Sequence, residues 1–246
     1  MTARKPVYLL SGDAHHHRKT RDPLIREMFR ETGNERPAVA YIGAANRDDP
    51  GFFQVLRRLF ERTGAGSVDL APLSMSGADI RQARAHIEAA DVIFLSEGDV
   101  DLGMQTLRAS GLIPLLHERF AAGVVFCGFS AGSIMLARQW VRWRDPADDS
   151  TAEPFDCVGL VPLVCDMHDE AQGWEELKTL LRLRRVEGET GYGVPTSMGL
   201  RVAPDGGVEA IGGWVHRHTF RDGRVDNIGD INPAFYVHAS EYEYQI

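Results

Sequence analysis

The chain has 246 residues and is 43% hydrophobic, ample for one large core, and a single α/β unit spanning 1–246 is the expected organisation. Its 27 basic and 35 acidic residues leave a net charge of −8, which argues against nucleic acid as the main partner. Three cysteines (Cys127, Cys157, Cys165) at no metal-like spacing, with no apolar N-terminal run, predict a cytoplasmic location without disulfides, signal peptide or membrane contact.

In chain order, residues 6–12 (PVYLLSG) and 38–45 (AVAYIGAA) are apolar runs separated by helical spacing at Leu24, Ile25, Met28 and Phe29. Phe52, Phe53, Val55, Leu56, Leu59 and Phe60 predict a second helix, closed by Gly64-Ala65-Gly66 before a short strand at 67–73. Residues 80–90 read as helix, 91–95 (DVIFL) as a fourth strand ending in Ser96-Glu97-Gly98-Asp99, and 102–120 as one helix. Apolar strands alternating with helices indicate a mostly parallel central sheet covered on both faces. Ligands bind such sheets beyond the carboxyl ends of the strands, so Gly12-Asp13, Gly43-Ala44, Gly98-Asp99 and Ser130 are expected on one rim.

Residues 124–137 (VVFCGFSAGSIMLA) are an apolar strand that breaks at Gly128-Phe129-Ser130-Ala131-Gly132 and resumes as a helix-like pattern. This is the layout of a nucleophile elbow: Ser130 at the tip of a sharp turn, with the next amides at a helix N-terminus facing any developing oxyanion. Beyond it, residues 142–155 are charged and loop-like, 158–165 (VGLVPLVC) are apolar, and 174–183 are helical. The last third turns to strands, at 194–202, 208–211 and 214–220 with a turn at Asp222-Gly223, which predicts antiparallel strands added late to the sheet.

A serine nucleophile needs a base, and His168 in Asp166-Met167-His168-Asp169-Glu170, just past an apolar run, is the best placed of nine histidines. The same residue also reads as a surface histidine at the start of an acidic helix, where Asp169, Glu170, Glu175 and Glu176 cap and solvate that end. The amides of Gly98 and Ala131 are candidate oxyanion donors, with Asp99 a helix cap in either case. His15-His16-His17 follows a strand end, but adjacent histidines diverge and nothing completes a site, so neither metal nor organic cofactor is expected. His86 and His117 read as solvated or satisfied within helices, and His216 and His218 as surface residues of a late strand. Arg182, Arg184 and Arg185 fit a solvated helix end better than a contact for an acidic substrate.

With these stretches placed (YLLSG, VAYIGAA, IFLSEGD, GFSAGS, CDMHDE and GYGVPTSMGL), residues 6–215 resemble the dipeptidase E and cyanophycinase family of serine peptidases. That family has the fold of class I glutamine amidotransferases. The resemblance implies Ser130 as nucleophile, His168 as general base, and Gly98 with Ala131 as oxyanion donors.

Two departures stand out. The family's Gly-Gly-Asp or Gly-Gly-Asn turn is Glu97-Gly98-Asp99 here, and Thr196 occupies the late position where the family carries the acid that orients the histidine. Glu97, Asp166 and Asp169 are then the candidates for that acid or for a selectivity role, and the arginine that recognises N-terminal aspartate has no clear counterpart. The reading is a serine hydrolase cleaving a peptide or amide bond. Its alternative is a catalytically impaired relative that binds a peptide or small metabolite in the same cleft, and a homodimer is left open. An amidotransferase partner domain fits less well, because that chemistry wants cysteine at the elbow and Cys127 lies before it.

Overall fold

Five short apolar strands build the centre of the fold. In the computed structural model, which describes residues 3–12 and 18–235, β1 (Val7–Leu10), β2 (Ala38–Ile42), β3 (Ser67–Leu70), β4 (Val92–Leu95) and β5 (Val125–Phe129) are parallel, in the order β1-β5-β4-β2-β3. Because side chains alternate along a strand, Val7, Leu9, Ile93, Leu95 and Phe126 enter one core, while Tyr8, Leu10, Phe94, Cys127 and Phe129 enter another on the opposite face. Helices α1 (Arg18–Thr32) and α2 (Pro50–Thr63) seal the second face with Ile25, Met28, Leu56 and Phe60. Helices α3 (Ile80–Ala89), α4 (Val100–Ser110) and α5 (Ile113–Ala121) cover the first with Ile87, Met104, Leu107 and Leu116.

The helix boundaries follow local chemistry. Asp49 caps α2 by accepting from the Phe52 amide at 2.8 Å, and Asp99 caps α4 from the Leu102 amide at 2.7 Å. The single helix expected over 102–120 is two helices, because Gly111 takes the left-handed conformation (φ 66°) and Pro114 opens the next helix in its first turn.

After α6 (Ala131–Leu136), the stretch expected to be loop-like at 142–155 instead contains the arms of a hairpin, β6 (Gln139–Trp143) and β7 (Ala152–Asp156). Its charges conceal a period of two. Val141 and Phe155 are buried, whereas Arg142 and Glu153 are cross-strand partners joined by an ion pair at 2.8 Å.

The late strands divide between two sheets. β8 (Val164–Met167) and β9 (Thr190–Val194) run parallel in a second sheet, with α7 (Glu175–Arg184) packed against them through Trp174, Leu177 and Leu181. β10 (Gly199–Val202) returns to the main sheet antiparallel to β1 and is followed by β11 (Val208–Ile211), again antiparallel. β12 (Val215–Arg221) and β13 (Arg224–Ile231) complete the second sheet in the order β13-β12-β9-β8, joined by the expected turn at Asp222-Gly223. β14 (Pro233–Phe235) pairs with β11.

Two expected late runs are therefore shifted. The strand begins at Val164 rather than at 158, because residues 158–160 hydrogen bond back to the end of α6. Residues 194–202 are not one strand but the end of β9, a turn and β10. His218 is buried rather than superficial, since β12 is an inner strand of the second sheet beneath α7, and burial depresses its pKa.

Candidate active site

The elbow is built from close backbone packing. Ser130 takes φ 47°, ψ −115°, a conformation rare for a residue with a side chain, and is held there by its amide donating to Leu10 O at 2.9 Å. The amides of Ser133 and Ile134 donate to Ser130 O, and the Ser133 hydroxyl lies 2.8 Å from Leu10 O and 2.7 Å from Gly128 O. The turn demands Gly132: a Cβ there would lie 2.1 Å from Leu95 O and 2.9 Å from Ser96 O, so α6 starts in contact with the end of β4.

Ser130 Oγ lies 2.6 Å from His168 Nε2. The two residues come from different sheets, 38 positions apart in sequence. His168 follows β8 with φ 48°, and its amide donates to Val194 O at 2.9 Å, which aligns the ends of β8 and β9. A hydroxyl that donates to Nε2 requires the imidazole tautomer with its proton on Nδ1.

Ala131 is the first residue of α6, where helix geometry leaves the amide without an intrahelical acceptor. Gly98 follows β4, the neighbour of β5 in the sheet, with φ 144° and no room for a Cβ, which would sit 2.1 Å from Ala45 O. Glu97 is on the same rim and half-buried: its Oε2 is 3.6 Å, and Ser130 Cβ is 3.5 Å, from the point a Cβ on Gly12 would occupy. Ser130, Ala131, Glu97 and Gly98 thus gather at the carboxyl ends of β4 and β5. Asp13 and His15-His16-His17 lie outside the described residues.

Four carboxyl groups stand behind or beside His168. Asp166 is only 4% exposed, accepts from the Met167 amide at 2.8 Å, and leaves Oδ2 buried without a hydrogen-bond partner among the described residues. Burial first, then the nearby Glu176 and Asp169 carboxylates, push its pKa up to about 8. Asp169 lies in the turn before α7 with Oδ2 buried and without a hydrogen-bond partner among the described residues, and its pKa is raised mainly by burial. Glu176 accepts from Trp140 Nε1 at 3.1 Å and is likewise raised by burial.

Glu170 behaves differently. Burial pushes its pKa up, but the hydrogen bond from the Thr196 amide outweighs it and holds the carboxyl below its ordinary value. Its Oε1 accepts from the Thr196 amide at 3.0 Å. Sequence reasoning assigned Glu170 only to helix capping, and no local signal marks a contact between residues 26 positions apart.

Arg182 and Arg184 are engaged elsewhere. Arg182 pairs with Glu175, and Arg184 is a near-buried bidentate partner of Glu189 at 2.6 and 2.7 Å that also donates to Gln139. Among the described residues, no group of three or more His, Cys, Asp or Glu side chains could hold a metal ion, and no helix is long and apolar enough to cross a membrane.

Residues 7–206 match the sequence model of peptidase family S51. The chain belongs to that family. The fold recurs in a peptidase from an acI-B1 Actinobacterium, at 16% identity and TM-score 0.68, over 93% of this chain and 97% of that one. It recurs also in a candidate peptidase E protein from Listeria monocytogenes EGD-e, at 18% identity and TM-score 0.62, over 85% of this chain and 98% of that one. At these identities the two structures establish the shared fold alone. No curated protein matches the chain in sequence.

Proposed function

We propose that this S51 family member is a serine hydrolase that cleaves a peptide or amide bond through an acyl-enzyme on Ser130, with His168 as general base. The observation that carries the reading is the 2.6 Å approach of Ser130 Oγ to His168 Nε2 at a strained elbow. As Oγ attacks the carbonyl carbon, its proton passes to Nε2, and the carbonyl π electrons move to oxygen. The Ala131 amide and, from the neighbouring loop, that of Gly98 stabilise this oxyanion. The imidazolium then protonates the departing amine as the C–N bond breaks. In the second half, His168 deprotonates a water that attacks the ester, and the acid is released as Ser130 recovers its proton.

Glu97 brings a carboxylate to the Ser130 side of the cleft, which supports a preference for substrates carrying positive charge and a bias against acidic ones. The reading needs neither metal nor organic cofactor, because the nucleophile, base and oxyanion donors all belong to the chain.

The test is labelling with a fluorophosphonate, followed by mass spectrometry of wild type and Ser130→Ala. A single adduct on Ser130, absent from the variant, is expected. An adduct elsewhere, or none in folded protein, would transfer the cleft to the binding reading.

A further inference from the structure

We propose that Asn46 is a positioning residue for the Gly98 amide: through a triangle of hydrogen bonds with Tyr41 and Ser96 it holds residues 96–99 in register with the elbow. The proposal deepens the serine-hydrolase reading and rests on it for the catalytic meaning of Gly98, whereas the triangle stands on its own geometry.

The triangle joins three segments of the chain. Tyr41 Oη donates to Ser96 Oγ at 2.7 Å, and Asn46 Nδ2 donates to both, lying 3.2 Å from Tyr41 Oη and 3.0 Å from Ser96 Oγ. Tyr41 belongs to β2, Ser96 is the first residue after β4, and Asn46 ends the 3₁₀ turn Ala44–Asn46. Tyr41 and Ser96 are fully buried, so neither hydroxyl can exchange its partner for water, and breaking the triangle leaves polar atoms unpaired.

Asn46 is itself held from both sides. Its amide donates to Gly43 O at 3.0 Å. Beyond it, Arg47 and Asp48 take left-handed φ values of 60° and 56°, and the buried Asp48 carboxylate accepts from the amides of Leu73, Ser74 and Met75. The turn fixed in this way is the surface on which the Gly98 loop lies. Ala45 O accepts from the Asp99 amide at 2.9 Å, and a Cβ on Gly98 would sit 2.1 Å from Ala45 O and 3.0 Å from Asn46 N. On the elbow side, Ser96 O lies 2.9 Å from the point a Cβ on Gly132 would occupy. Residue 96 is therefore wedged between the 3₁₀ turn and the start of α6, and its hydroxyl is the side-chain tie to the turn. Gly98, at φ 144°, has no side chain to fix it, so its amide goes where its neighbours put it. A misplaced donor forfeits much of its effect on an oxyanion, and this gives a residue that never touches substrate a measurable influence on rate.

The experiment measures the limiting rate and the half-saturating probe concentration of fluorophosphonate labelling in Asn46→Leu, Tyr41→Phe, Ser96→Ala and the Asn46→Leu/Ser96→Ala double variant. In parallel, the Gly98 and Ala131 amide signals are followed by NMR in isotope-labelled protein. Asn46→Leu keeps the volume and removes the donor. It is expected to lower the limiting rate about tenfold, with half-saturation within about twofold of wild type and the pH midpoint of labelling unchanged. The Gly98 signal should move in Asn46→Leu and Tyr41→Phe alike, with that of Ala131 staying in place. Once the Ser96 hydroxyl is absent, Asn46→Leu should cost less than about twofold, because its route to Gly98 is already cut.

Wild-type limiting rates in both Asn46→Leu and Tyr41→Phe, with the Gly98 signal unmoved, would overturn the proposal and leave the Ser130–His168 reading standing. Full additivity in the double variant would overturn the route through Ser96, and a change confined to half-saturation would assign Asn46 to binding instead. A Gly98 signal that moves as expected, in a protein whose wild type never labels, would have the opposite meaning: the positioning holds and the nucleophile assignment fails. If Asn46→Leu lost its fold by circular dichroism, Tyr41→Phe would decide the same question, because it deletes only one hydroxyl of the triangle.

Discussion

The two halves of the site are held in place by different physics. On the Ser130 side, position comes from backbone: the Ser130 amide on Leu10 O, the Ser133 hydroxyl between two carbonyls, and α6 pressed against Leu95 O where only glycine fits. On the His168 side, position comes from polar side chains and paired turns, with four carboxyl groups whose protonation preferences diverge. The first half is insensitive to pH and intolerant of added volume. The second is held by polar contacts and carries the titratable groups. Substitutions that exploit this contrast should therefore act on packing on one side and on titration on the other.

The largest effect is expected at the junction of the halves. His168→Gln removes the base while keeping the amide that donates to Val194 O, so hydrolysis or fluorophosphonate labelling should fall by about 10³-fold or more, with thermal stability within a few degrees of wild type. Labelling at the wild-type rate would exclude His168 as the base. On the packing side, Gly132→Ala puts a Cβ 2.1 Å from Leu95 O and must displace backbone, so a loss on the order of 3 kcal/mol in chemical denaturation is expected, with loss of labelling. A Gly132→Ala protein as stable and reactive as wild type would mean that the elbow is not the rigid element described.

The contrast also explains what could be read in advance. The central sheet, its helices and the elbow announce themselves through apolar runs, caps and a Gly-x-Ser-x-Gly spacing, because these are local patterns. His168 was legible as a residue at the end of an apolar run, but its contact with Ser130 joins two sheets, and nothing in the spacing specified it. The hairpin at β6 and β7 was hidden because Arg142, Glu153 and their neighbours read as a charged loop until Val141 and Phe155 are seen to alternate with them. Glu170 was hidden for a related reason: in a run of acids each looks like a helix cap, and only its tertiary contact with the Thr196 amide sets it apart.

An intermediate effect is expected on stability rather than rate. Asp166 is an acid whose folded pKa, about 8, lies above the ordinary value of 3.8, so the native state holds a proton that the unfolded chain has released. Stability attributable to this group is complete below about pH 4 and is lost as pH rises through about 8. Asp166→Asn keeps the acceptor for the Met167 amide and removes the ionisation, so it should stabilise the protein by roughly 2 kcal/mol at pH 8 and very little at pH 4. Urea denaturation of both proteins at the two pH values measures this directly. Equal stabilities at pH 8 would mean that the buried Oδ2 finds a partner on ionisation.

The smallest effect is the one that probes how the two halves meet at the substrate. Glu97 lies on the rigid side, yet its proposed role is by charge: its Oε2 and Ser130 Cβ both approach the same point beside Gly12. A half-buried carboxylate here should favour a cationic group near the scissile bond and disfavour an anionic one, an interaction worth about 1 kcal/mol at surface dielectric, or roughly fivefold in rate each way. Two fluorophosphonates that differ only in a cationic or anionic tail separate this from a general loss of reactivity. Glu97→Gln should bring the two labelling rates together, the cationic probe slowing and the anionic probe quickening. Equal slowing of both would show instead that Glu97 supports the elbow itself, as the packing elements do, and its assignment to selectivity would have to be withdrawn.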